Sequence, residues 1–191
     1  MYQLNVLSKL IKEEVTSLAS DCWQRVLRHY WVDGVEVRCG DKTIDYGYEY
    51  AGNLQMLVST QLSEDCAVHH INNYCEGRGV SAYGPAGTGK TETVKDCAKL
   101  IGLPCFVVGG AGDLEEKFSN KGNGWVCFDE FNRLSAEDVK IAQGFIGSGK
   151  GVFITYNPGR EGSTDVSGVP MAGIEMFPPP IEMIIEAQLY L

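Results

Sequence analysis

The sequence predicts an α/β fold, a parallel sheet with helices on both faces, and three stretches of chain predict it. The first is Gly84-Pro85-Ala86-Gly87-Thr88-Gly89-Lys90-Thr91, a complete G-x-x-x-x-G-K-T loop between a short strand at residues 79–83 and a helix pattern over residues 91–101. The second is Trp125-Val126-Cys127-Phe128, an apolar strand that ends on two carboxylates, Asp129 and Glu130. The third is Val152-Phe153-Ile154-Thr155, a β-branched strand that runs out at Asn157-Pro158-Gly159. A further apolar run at 104–108 supplies another strand. Strands that alternate with helices form a parallel sheet, because each crossover lays its helix on a sheet face. A ligand of such a sheet lies beyond the carboxyl ends of the strands, where all three stretches converge.

The loop states its chemistry. Glycines let the backbone curl with its N–H groups pointing inward, where a side chain would block the approach. The curl opens onto a helix N-terminus, whose free N–H groups favour an anion. Lys90 is placed to reach the outer phosphates of a nucleotide, and the Thr91 hydroxyl to hold a magnesium ion. A Gly-rich turn could match by chance, but every specified position is filled in order and the flanking strand and helix are present. Asp129 would grip magnesium through water, and Glu130 would orient or deprotonate an attacking water. Asn157 has two readings of equal weight on spacing alone. It contacts the terminal phosphate, or it is a turn residue before Pro158-Gly159.

Composition excludes several classes. A content of 44% hydrophobic and 21% charged residues in 191 is that of a soluble globular chain of one domain, or one domain with an appendage. No apolar run approaches the roughly 20 residues that cross a bilayer, and the N-terminus lacks the basic and apolar blocks of a secretory signal. A net charge of −9 argues against a broad nucleic-acid face. The seven cysteines are odd in number and contain no C-x-x-C pair, which reads as reduced thiols in a cytosolic protein. His29, His69 and His70 have no metal-like spacing with them, and a surface or partly buried setting is expected for all three.

Ahead of the loop, residues 4–30 show helical spacing, with Ser20 or Asp21 capping a second helix after a break. Residues 35–38 and 43–46 alternate about Gly40-Asp41 and read as a β-hairpin. Tyr46-Gly47-Tyr48-Glu49-Tyr50 reads as a strand with three tyrosines on one face. A helix starts at Ser63-Glu64-Asp65 and runs to about Cys75. Beyond Asp129, Ser135 caps a helix to Phe145, residues 159–169 form a loop, and 181–191 form a final helix. The division is 1–45, a helical segment and hairpin, and 46–191, the nucleotide-binding unit.

The residues Tyr46-Gly47-Tyr48-Glu49-Tyr50-Ala51-Gly52-Asn53, the run G-P-A-G-T-G-K-T-E-T at 84–93, C-F-D-E-F-N-R at 127–133 and V-F-I-T-Y-N-P-G at 152–159 resemble the first AAA+ module of dynein heavy chains. The similarity runs from about Cys22 to Leu189, and residues 22–31 look like the end of the dynein linker. This resemblance implies an AAA+ large subdomain of the P-loop NTPase class, with ATP or ADP and Mg2+ as its ligands. It implies that residues 84–91 and Glu92 bind nucleotide, and that Val58, Thr60 and Leu62 lie near adenine. It further implies that Thr91 and Asp129 hold the metal, that Glu130 activates water beside Lys90, and that Asn157 senses the γ-phosphate. The implied partners are other AAA+ modules or dynein-complex subunits, with microtubules reached only indirectly and neither nucleic acid nor membrane bound directly. The implied setting is the cytoplasmic cytoskeleton, or a cilium.

The chain also departs from that pattern. The region after Arg133 is shorter than in dyneins, the arginine that follows the sensor strand has no clear match (Arg160 is offset), and the small helical lid is absent. Two readings follow: a dynein-type ATPase motor module that couples ATP turnover to microtubule-based movement in the full machine, or a nucleotide-binding interaction module with little turnover that docks in a ciliary or microtubule-associated assembly.

Overall fold

A computed structural model describes residues 2–50, 52, 57, 60–109, 124–145, 151–159 and 169–177. The expected final helix at 181–191, Arg160, most of the 159–169 loop and Val58 lie outside these residues.

Helix α1 (Tyr2–Lys12) and the short α2 (Asp21–Gln24) open the chain. The helical spacing read through residue 30 ends early. Strand β1 (Arg28–Trp31) pairs antiparallel with β2 (Val35–Cys39), which pairs with β3 (Lys42–Asp45). The expected hairpin is thus β2 and β3 of a three-stranded sheet. Pairing of Arg28 with Arg38 through Trp31 with Val35 overrides the local helical pattern.

Residues 46–50 do not form the expected strand. Tyr48 sits at φ 56°, in the left-handed region, and the chain turns instead onto the loop at residues 101–102. There the N–H groups of Gly47 and Glu49 donate to the carbonyls of Ile101 and Gly102. Tyr46 and Tyr48 meet edge to face at 5.2 Å, while Tyr50 is 91% exposed, so the three rings share no face.

Helix α3 (Gln61–Cys75) leads to the main sheet: β4 (Gly79–Tyr83), α4 (Lys90–Leu100), β5 (Cys105–Val108), β6 (Trp125–Phe128), α5 (Ala136–Phe145), β7 (Gly151–Tyr156) and β8 (Met171–Glu175). The spatial order is β5-β6-β7-β4-β8, with every pair parallel. The sequence pattern marks no strand at 171–175. That segment has one β-branched residue and a central glycine, and it is a strand because β4 pairs with it from Gly79–Met171 to Tyr83–Glu175.

Successive strand residues point to opposite faces. Trp125, Cys127 and Phe153 pack with Ile71 of α3 and with Val94, Cys97 and Ala98 of α4. Val126, Phe128, Val152 and Ile154 pack with Val139 and Ala142 of α5 and with Phe131 and Leu134 before it. The sheet therefore carries helices on both faces, as the strand–helix alternation requires. Val37 and Cys39 of the N-terminal sheet join the first of these clusters, so the two sheets share one core. Ion pairs Lys9–Glu64 and Arg25–Asp65 tie the N-terminal segment to α3.

The strand order matters for the site. β4, which feeds the glycine loop, lies beside β7 and not beside β6. The end of β7 is thereby inserted between the loop and Asp129.

Candidate active site

The loop leaves β4 at Gly84, where φ is 150° and a Cβ would stand 2.1 Å from the Met176 carbonyl oxygen. Gly87 and Gly89 follow at φ 79° and 77°, a left-handed geometry that glycine adopts without strain. Gly89 is the residue that turns the loop into α4. Helix α4 then begins with Lys90, with no side-chain cap on its first N–H groups.

Lys90 is 8% exposed, and its Nζ donates to the carbonyl oxygens of Gly84 at 3.0 Å and Pro85 at 2.6 Å. Burial draws its ammonium below the usual lysine range, against the opposing pull of Asp129 and Glu130. Thr88 closes the loop by donating its hydroxyl to the Pro85 carbonyl at 3.0 Å.

Asp129 follows directly on β6, and three donors meet on its Oδ1. The Thr91 hydroxyl is at 2.7 Å, the Thr155 hydroxyl at 2.6 Å, and the N–H of Glu130 at 3.1 Å. Burial works to raise this carboxyl, but the bonds from Thr155, Thr91 and Glu130, with the charge of Lys90, outweigh it and hold Asp129 below the usual carboxylate range. Glu130 takes a left-handed backbone at φ 47°, and its carboxylate pairs with Arg133 one turn on. Asn157 lies just past the end of β7, and its buried Oδ1 has no hydrogen-bond partner among the described residues.

These groups surround one cleft of about 240 Å³. Of the residues expected from sequence, Ala86, Gly87, Gly89, Lys90, Thr91, Glu92, Asp129, Glu130 and Asn157 line it. Gly84, Pro85 and Thr88 build the loop behind that lining. Thr60 and Leu62 do not line it. Thr60 caps α3, and Leu62 packs half-buried with Cys66, Ala82 and Met176. Val58 lies outside the described residues. Thr155 and Tyr156 line the cleft as well and were missed. Their signal was present in register: Phe128 stands beside Ile154, so the next position of β7, Thr155, falls beside Asp129.

The donor set fits a magnesium nucleotide. A hydroxyl and a carboxylate are hard oxygen ligands, suited to magnesium and not to a soft metal. Among the described residues no group of three or more His, Cys, Asp or Glu forms an all-protein cage. Magnesium does not need one, since it keeps waters and takes phosphate oxygens. The glycine cradle, the buried ammonium and the helix N-terminus fit the phosphates themselves.

Comparison with known proteins agrees. Residues 46–143 match the family described as the hydrolytic ATP binding site of the dynein motor region. The chain is 35% identical to dynein axonemal heavy chain 2 of Mus musculus, over 85% of this chain and 4% of that protein. It is 33% identical to dynein axonemal heavy chain 6 of Homo sapiens over 85% of this chain and 5% of that protein. It is also 33% identical to dynein axonemal heavy chain 1 of Mus musculus, over 97% of this chain and 5% of that protein. The chain thus spans only 4–5% of the length of these relatives. The last alignment runs over 220 positions against 191 residues here, so the relative carries segments that this chain lacks.

Proposed function

The chain belongs to the dynein heavy-chain family, in its AAA+ ATP-site module, and from that premise we propose that it binds Mg-ATP and hydrolyses it by in-line attack of water. The observation that carries this reading is the convergence on one cleft of the glycine loop, Lys90, Thr91, Asp129, Glu130 and Asn157.

The roles follow from the chemistry of each group. Loop N–H groups and the Lys90 ammonium offset the phosphate charge. Thr91 and Asp129 would hold magnesium, which supplies neutralisation of charge on the β- and γ-phosphate oxygens. Glu130 orients the attacking water and takes its proton. The Asn157 side chain lines the cleft, where its amide oxygen can accept from that water and its amide N–H can donate to the γ-phosphate. Little covalent chemistry is asked of the protein, so placement and electrostatics carry the rate.

A second reading, nucleotide binding with little turnover by the chain alone, is favoured by one observation. The Glu130 carboxylate is engaged by Arg133 through Oε2, and the guanidinium competes with water for it. Under either reading the module works with other AAA+ modules or subunits of a dynein assembly, touches microtubules only through them, and resides on the cytoskeleton or in a cilium.

The experiment pairs a binding titration with steady-state phosphate release. Glu130→Gln is expected to retain ATP binding and lose turnover by about 100-fold or more, the range of a general base. Unchanged turnover in that variant rejects the assignment of Glu130. Tight binding with no measurable turnover in the unaltered chain supports the second reading.

A further inference from the structure

We infer that Thr155 is a positioning residue of the magnesium site, which orients Asp129 and, through it, the Thr91 hydroxyl. The inference rests on the Mg-nucleotide reading of the cleft given above.

Three features of the geometry carry it. Thr155 is 1% exposed and sits where β7 passes between the glycine loop and β6. Its Oγ1 is 2.6 Å from Asp129 Oδ1 and 3.4 Å from Thr91 Oγ1, so two hydroxyls and one carboxylate form a closed cluster drawn from three elements. Parity of the strands places them there. Cys127 and Phe153 face α4, and two residues on, Asp129 and Thr155 face it again, toward its first turn.

The donors are unevenly shared between the two carboxylate oxygens. Oδ1 accepts from Thr91, Thr155 and the N–H of Glu130, whereas Oδ2 accepts from none among the described residues. A carboxylate oxygen offers about two lone-pair sites, so three donors saturate Oδ1 and fix the plane of the group. Oδ2 is left to the cleft, available to a metal-bound water. The Thr91 hydroxyl has one proton, and Asp129 Oδ1 accepts it, which leaves the oxygen lone pairs of Thr91 for a metal. Removing the Thr155 donor takes away the bond that ties Asp129 to β7, so the carboxylate can shift and draw Thr91 with it. The ligands themselves stay, and their preorganisation goes.

The test separates metal from nucleotide. A fluorescent ATP analogue is titrated against the unaltered chain, Thr155→Val and Thr155→Ser, first in EDTA and then over a series of free Mg2+ concentrations. Valine keeps the β-branched shape and loses only the hydroxyl, and serine keeps the hydroxyl. The expected result is equal binding of the three proteins in EDTA. The Mg2+ concentration for half-maximal enhancement of binding should rise about 10- to 100-fold in Thr155→Val, the usual effect of losing an outer-shell partner. Thr155→Ser should restore it to within about threefold. Should the valine variant fail to fold, Thr155→Ala carries the same expectation. An unchanged Mg2+ dependence in a folded variant that lacks the hydroxyl overturns the role of Thr155 and leaves the site reading standing. Failure of the unaltered chain to bind the analogue with or without Mg2+ overturns the site reading, and the role of Thr155 with it.

Discussion

Gly84 is the residue on which the loop depends most sharply. The Met176 carbonyl oxygen that its missing Cβ would strike is backbone, held in place because the N–H of Met176 donates to the Tyr83 carbonyl at 2.7 Å. A flexible side chain could swing aside, whereas moving this oxygen requires a shift of the backbone itself. The φ of 150° adds conformational strain for any residue with a side chain. Gly84→Ala is therefore expected to destabilise the fold by on the order of 2–4 kcal/mol, in the range of overpacked and strained sites. Urea denaturation followed by tryptophan fluorescence reads it as a lower midpoint with an unchanged slope. A midpoint equal to that of the unaltered chain would show that the loop leaves β4 by another path. Gly87 makes a useful contrast, since a Cβ there meets nothing within 4 Å and only its φ of 79° resists substitution.

Among the elements, α3 shows how a local signal can be legible and still be placed wrongly. Its start is set by Thr60. The Thr60 side chain accepts from the N–H of Ser63 at 3.2 Å, and the Ser63 hydroxyl accepts from the N–H of Thr60 at 2.8 Å, a reciprocal capping box. Thr60→Ala is expected to cost about 1 kcal/mol, and Thr60→Ser to cost much less, by thermal or urea unfolding. An alanine variant as stable as the unaltered chain would mean that the cap contributes nothing. The sequence reading began this helix at Ser63, because a serine at the third position is a weaker mark of a box than Glu or Gln. Elements with a strong local pattern were legible, among them α4 behind its glycine loop, the apolar β6 and the β-branched β7. The elements that escaped, β1, β8 and the turn at Tyr46–Tyr48, owe their form to partners distant in sequence: β2, β4 and the Ile101–Gly102 carbonyls. The site divides the same way. Motif spacing brought Lys90, Thr91, Asp129 and Glu130 into view, while Thr155 needed the β6–β7 register to be seen beside Asp129.

For the molecule as a whole, the core contains a built-in sensitivity to acid. His70 of α3, against the surface or partly buried setting expected from sequence, is 0% exposed and stacks on Phe153 of β7 at 5.1 Å, in the layer between helices and sheet. Its Nδ1 donates to the Cys66 carbonyl at 2.5 Å, and its Nε2 has no partner among the described residues. Burial lowers its pKa to about 4, with the Cys66 bond working against that shift and His69 adding to it. The unfolded chain, with a histidine near 6.5, binds a proton over the range in which the folded one does not. Stability from this group is therefore complete above pH 6.5 and declines as pH falls from 6.5 through 4, by about 3 kcal/mol in all. His70→Phe keeps a ring against Phe153 and removes the titration. Urea unfolding of both proteins between pH 7 and pH 4 should show the unaltered chain losing more stability, and equal losses would dismiss the effect. Because Phe153 lies on the strand that carries Thr155 and leads into Asn157, the proposed nucleotide site and the fold should be lost in one transition as His70 charges. Nucleotide binding measured along the same pH series is expected to fall with the folded fraction and not ahead of it.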